Sequence, residues 1–165
     1  MTVFKKPSGN ANGNTFDYSG RLLTCQHGPR QVIRHEHDGS TRVIADRYEG
    51  KRLNSPNDIV VHRDDKSIWF TDPGYGIRKN YTGSPTQAEL PESVYRVDAQ
   101  TGKITKVTDD IGTPNGLCFS PDLTKLYVAD TGDGAHCIRV WDVDNGSLKN
   151  GRQFASMKLD GFEKA

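Results

Sequence analysis

The sequence predicts an all-β fold, a β-propeller of four-stranded antiparallel blades, and three observations carry that prediction. Apolar runs are short and many, from "RLLTC" at 21–25 to "CIRVWDV" at 137–143. Gly, Asn, Asp and Ser punctuate them at "HDGS" 37–40, "HRDDKS" 62–67, "DAQTGK" 98–103, "SPDLTK" 120–125 and "DVDNGS" 142–147, and no segment keeps a helical period. The runs also recur as one four-strand unit, three times over.

The first unit reads "NGNTFD" at 12–17, "RLLTC" at 21–25, "RQVIRHEHDG" at 30–39 and "STRVIA" at 40–45. The second reads "PNDIVV" at 56–61, "SIWFTD" at 67–72, "ESVYRVDAQTG" at 92–102 and "KITKVT" at 103–108. The third reads "PNGLCFS" at 114–120, "KLYVAD" at 125–130, "CIRVWDVDNG" at 137–146 and "GRQFASM" at 151–157. Blades are therefore expected near 12–45, 56–108 and 114–157. With the asparagine at each strand entry as anchor, Asn14 and Asn57 are 43 residues apart, a blade length, while Asn57 and Asn115 are 58 apart. The excess is an insertion, "PGYGIRKNYTGSPTQAELP" at 73–91, whose Gly, Pro and Ser content reads as a loop over a site.

The length of 165 residues suits one domain, and 22 basic against 21 acidic residues give a net charge of +1. That balance offers no footprint for nucleic acid or an anionic membrane, and no run of about 18 apolar residues is present to cross a bilayer. Residues 1–15 lack the apolar stretch of a leader. Cytoplasm is thus the default compartment, with periplasmic or secreted placement expected if a leader precedes residue 1. Cys25, Cys118 and Cys137 are odd in number, lack metal-type spacing and lie in strand-like runs, so reduced core thiols are expected. Trp69 and Trp141 are read as blade-packing residues.

Pro-Asn at a strand entry, in "SPND" and "TPNG", is the motif with chemical content. Pro fixes φ and starts the strand. In a propeller the first strands line the channel, so the side chains that follow converge on one mouth. A carboxamide oxygen there suits a hard cation such as Ca²⁺. The plainer reading is a turn residue capping backbone groups.

At these residues the chain resembles the SMP-30/gluconolactonase family, through "RLLTCQHGPRQVIRHEHDGSTRVIADRYEGKRLNSPNDIVVHRDDKSIWFTDPGYGI" and "GTPNGLCFSPDLTKLYVADTG". The resemblance implies a six-bladed propeller, about three blades of which are present here. It also implies one divalent cation, usually calcium, and hydrolysis of sugar-acid lactones, a small-molecule substrate; paraoxonases and diisopropylfluorophosphatase-like hydrolases share the architecture. Asn57 and Asn115 match the family's two metal-binding asparagines. Its Glu and Asp ligands have no match in this chain, "LDGFEKA" at 159–165 included. Asp58 would orient a ligand, or simply start a strand. His27 aligns with a channel-mouth histidine of the paraoxonase relatives and is a candidate proton shuttle, against a loop histidine bonded to backbone. Asn12, Asn14, Asp72, Tyr75 and Asp130 are candidate substrate contacts. Ser55 lies near a position where some members carry a substrate-binding Arg. Rival readings are another ester substrate on the same architecture and a propeller that only binds.

Overall fold

The computed structural model describes residues 2–158 and contains three four-stranded antiparallel sheets, each formed by consecutive strands. The first holds β1 (Ala11–Phe16), β2 (Leu22–Gln26), β3 (Gln31–His35) and β4 (Thr41–Ala45). A short hairpin, β5 (Arg47–Tyr48) with β6 (Lys51–Arg52), leads to the second sheet. That sheet holds β7 (Ile59–Val61), β8 (Ile68–Asp72), β9 (Ser93–Val97) and β10 (Ile104–Thr108). Its insertion opens with one helical turn, α1 (Tyr75–Arg78). The third sheet holds β11 (Pro114–Phe119), β12 (Lys125–Asp130), β13 (Cys137–Asp144) and β14 (Ser147–Ser156). These are three propeller blades.

The core lies between the blades, in two layers. Leu23, Cys25, Val32, Ile59, Ile68, Phe70 and Tyr95 fill the first, between blades one and two. Trp69, Val94, Leu117, Leu126, Val128 and Trp141 fill the second, between blades two and three. Strand alternation explains the split: Ile68 and Phe70 point to one neighbour and Trp69 to the other, so every residue of β8 is buried. In β12 only alternate residues, Leu126, Val128 and Asp130, are buried.

Four features depart from the sequence expectation. The hairpin β5–β6 and the turn α1 carry no periodic signal because each is two to four residues long. β14 begins at Ser147 and not near 151, since Asn145 (φ 48°) and Gly146 (φ 77°) make a two-residue turn and pairing resumes at once with Asp144↔Ser147. Cys118 is exposed while Cys25 and Cys137 are buried: its neighbour Leu117 takes the core side of β11, and alternation sends the thiol outward. Lastly, Asp72 and Asp130 are clasps.

Each clasp ends the second strand of its blade and ties down the segment entering that blade's first strand. Asp72 is fully buried and accepts the amides of Asn54 and Ser55, both at 2.8 Å. Asp130 accepts the amides of Gly112 (2.9 Å), Thr113 (2.9 Å) and Gly132 (3.0 Å). Gln26 does the same work in blade one, donating to the Ser8 carbonyl at 2.6 Å. The two carboxyls diverge in acidity. Burial pushes Asp72 up to about 7 against its two amide donors. Burial also opposes ionisation of Asp130, but three amide donors outweigh it and hold the group below its ordinary value.

Two predictions follow from these bonds. Asp72 ionises near 3.8 when unfolded and near 7 when folded, so the folded state binds the extra proton in that window. Stability therefore falls as pH rises from about 4 to about 7, by a few kcal/mol, and Asp72→Asn flattens that slope; urea midpoints measured across the window check it. Asp58 Oδ2 accepts the amide of Leu117 at 3.0 Å, joining blade two to blade three. Asp58→Ala leaves that amide unpaired and costs about 1–3 kcal/mol in chemical denaturation.

Candidate functional site

Strand register superposes the three blade entries. Phe16 pairs with Leu22, Val61 with Ile68 and Phe119 with Leu126. Four residues before each first-strand member stand Asn12, Asn57 and Asn115. The Pro-Asn recurrence is thus one asparagine per blade at one structural position, and in blade one that residue is Asn12, not the Asn14 used as anchor in the sequence. Asn14 lies two residues further in, where it accepts from Thr24 Oγ1 (2.8 Å) and donates to the Asn12 carbonyl (2.7 Å).

The three entries are stitched together at backbone level. The amide of Gly13 donates to the Asn57 carbonyl at 2.6 Å. No side chain fits at Gly13, because a Cβ there would strike the Asn57 carbonyl and lie 2.6 Å from Asp58 Cα. The amide of Asn57 donates to the Thr71 carbonyl at 2.9 Å. The Thr71 hydroxyl accepts the Asp58 amide (3.0 Å) and donates to the Asn115 carbonyl (2.9 Å). Thr71 is fully buried and touches both asparagine backbones, so Asn57 and Asn115 stand side by side across the seam.

Their carboxamides stay free. Asn57 is only 5% exposed, yet neither its carboxamide nor that of Asn115 bonds a protein group among the described residues. The side-chain oxygen and nitrogen of neither residue are sealed off from solvent, so both carboxamides are open to a ligand. A neutral carboxamide oxygen from each of two adjoining strand entries suits a hard divalent cation. Among the described residues no group of three or more His, Cys, Asp or Glu adds charged ligands. Asp58 spends Oδ2 on Leu117, so it braces the seam beside Asn57.

Asn12 meets a different fate, because His27 lies against it. The imidazole is 2% exposed, with Nε2 3.2 Å from Asn12 Nδ2. With the amide nitrogen donating, Nε2 is an acceptor. Burial lowers the pKa of the imidazolium below its ordinary value, partly opposed by a bond to the Thr82 backbone, and so favours the neutral ring at neutral pH. The insertion covers this histidine. A Cβ on Gly76 would lie 2.6 Å from His27 Cβ and 2.7 Å from Ser55 Cβ, so the strap can sit this low only as glycine.

Ser55 anchors that strap, accepting the Gly76 amide (2.8 Å) and donating to the Pro73 carbonyl (2.5 Å). Arg52 is turned to the Pro29 carbonyl and braces a loop. Tyr75 leaves the strap and reaches blade three, its phenol 2.5 Å from Thr131 Oγ1. Of the candidate residues, Asn57, Asn115, Asp58, Asn12, His27 and Tyr75 border the seam and its strap. Asp72 and Asp130 are withdrawn into backbone clasps, a correction to their reading as substrate contacts: their oxygens are taken by amides. Thr71, Gly76 and Thr131 escaped the sequence reading. Thr71 stands where the other blades have Cys25 and Ala129, so no repeat marks it.

Residues 1–163 match the family model described as the SMP-30/Gluconolactonase/LRE-like region. A gluconolactonase of Zymomonas mobilis is 31% identical over 166 aligned positions, covering 92% of this chain and 46% of that protein. Lactonohydrolase oryL of Aspergillus oryzae is 34% identical over 100 positions, 61% of this chain and 22% of that one. The solved structure of a gluconolactonase from Xanthomonas campestris superposes with a TM-score of 0.84 at 42% identity, over 93% of this chain and 51% of that one. The chain spans about half the length of the gluconolactonases it matches. On its sequence and its blades alike, it belongs to the SMP-30/gluconolactonase/LRE-like family.

Proposed function

We propose that the protein is a hydrolase that opens lactones, with sugar-acid lactones as the first substrate class. The observation that carries this reading is the pair of unpartnered carboxamides, Asn57 and Asn115, held together at a strand mouth beside a neutral buried histidine. Likeness to gluconolactonases and to a lactonohydrolase supports the substrate class.

In this reading Asn57 and Asn115 are two of the ligands of one divalent cation, calcium in the first instance. A cation held there supplies a Lewis acid that polarises a carbonyl. Neutral ligands leave its charge undiminished, which is what the asparagines contribute. Thr71 and Asp58 tie together the two strand entries that carry these asparagines. His27 offers the lone pair on Nε2, now facing Asn12, to a proton of the attacking water or of a substrate hydroxyl. Water adds to the lactone carbon, the ring C–O bond breaks, and the open hydroxy acid leaves as carboxylate and proton. Another ester on the same architecture, whether an aryl ester, an acyl-homoserine lactone or a phosphotriester, is the rival.

In the complete protein, Asn57→Ala and Asn115→Ala each weaken calcium binding in calorimetry and lower glucono-lactone turnover, followed by acid release, about 100-fold or more. His27→Gln keeps calcium affinity and lowers turnover by a similar factor. Retained affinity and turnover in Asn115→Ala would remove the ligand assignment. An unmutated protein that opens aryl esters or phosphotriesters and ignores lactones would transfer the site to the rival substrate.

A further inference from the structure

The strap reaches blade three through one pair of hydroxyls, and their bonding fixes which groups they offer. Thr131 Oγ1 lies 3.0 Å from the Thr113 carbonyl, an acceptor only, so the threonine proton goes there. The contact of 2.5 Å between Tyr75 Oη and Thr131 Oγ1 must then use the tyrosine proton. Both protons are committed, in the direction Tyr75 to Thr131 to Thr113. What remains open is acceptor capacity, chiefly on the phenol oxygen of Tyr75. Tyr75 and Thr131 are both partly exposed, so a ligand can reach them. The relay also ends at the seam. Thr113 precedes Asn115 by two residues, at most about 7 Å of extended chain. The relay thus joins the strap to the segment that carries the proposed cation ligand, and Tyr75 directly precedes Gly76, which packs on His27.

We propose that Tyr75 and Thr131 are a specificity pair that accepts a hydrogen bond from a ring hydroxyl of the substrate, selecting polyhydroxylated lactones over bare ones; this rests on the lactonase reading of the same site. The relay orients the acceptor, and the strap holds it in place. Gly76 sits against His27 and Ser55, and Thr82 Oγ1 donates to the Tyr75 carbonyl at 3.1 Å, so the tyrosine backbone is fixed on both sides. A hydroxyl donor satisfies the open lone pair, whereas a ring without hydroxyls displaces water from it and returns nothing.

The test compares D-glucono-1,5-lactone with δ-valerolactone, the same six-membered ring without hydroxyls, in the complete protein and in Tyr75→Phe and Thr131→Val. Each variant removes one hydroxyl and keeps the shape. The expected result is a fall of about 3–10-fold in kcat/KM for the gluconolactone, with valerolactone changed less than twofold. Equal falls on both lactones would mean that the pair only braces the strap, and unchanged gluconolactone kinetics would mean that it reads nothing; either overturns the proposal. Binding of the polyol D-glucitol, measured by calorimetry, separates this proposal from its parent. If the unmutated protein opens neither lactone, the lactonase reading falls. In that case, glucitol binding weakened about 3–10-fold by Tyr75→Phe supports the pair, and binding that is absent or unaffected refutes it.

Discussion

Thr71 is the residue on which the mouth depends. Its carbonyl takes the amide of Asn57, its amide goes to the Asp58 carbonyl at 3.0 Å, and its hydroxyl bridges the Asp58 amide to the Asn115 carbonyl. One fully buried side chain thus sets the spacing of two asparagines that are 58 residues apart in sequence. The Thr71 side chain is shielded from solvent, and losing its hydroxyl would leave an amide and a carbonyl without this partner together. The Asp58 carboxylate repeats the link one step along, at Leu117. Blade two is accordingly locked to blade three by side chains, and to blade one by the backbone bond that Gly13 makes room for.

That lock separates polar groups into spent and unspent ones. The clasps Asp72, Asp130 and Gln26 turn inward to backbone and close each blade entry. Beside them, the carboxamides of Asn57 and Asn115 and the phenol oxygen of Tyr75 retain capacity, while Nε2 of His27 is held by Asn12. The site is what remains after the fold has satisfied its own amides. The strap adds the last constraint. Gly76 lets it lie flush on His27, which keeps the imidazole buried and neutral while leaving its lone pair near the mouth.

Much of this was legible in the sequence, for physical reasons. Strand periodicity and turn residues mark three four-strand units, because a half-buried strand must alternate and a tight turn needs Gly, Asn or Asp. Pro-Asn marks two of the three mouth positions. The third, Asn12, has no proline before it, and a local irregularity in β1 between Ala11 and Asn14 made Asn14 look like the anchor. Asp72 and Asp130 stand at the right end of the right strands. Whether a carboxylate there faces substrate or its own backbone depends on which amides lie above it, and that is a tertiary fact. Thr71 and Thr131 were invisible because hydroxyls that bridge elements carry no spacing signature.

Diffraction from crystals of the complete protein grown with calcium, with the anomalous signal used to place the ion, tests the central claim most directly. The account predicts one cation with the side-chain oxygens of Asn57 and Asn115 both about 2.3–2.6 Å away. A cation bound elsewhere, with these two carboxamides turned to protein or solvent, would contradict it.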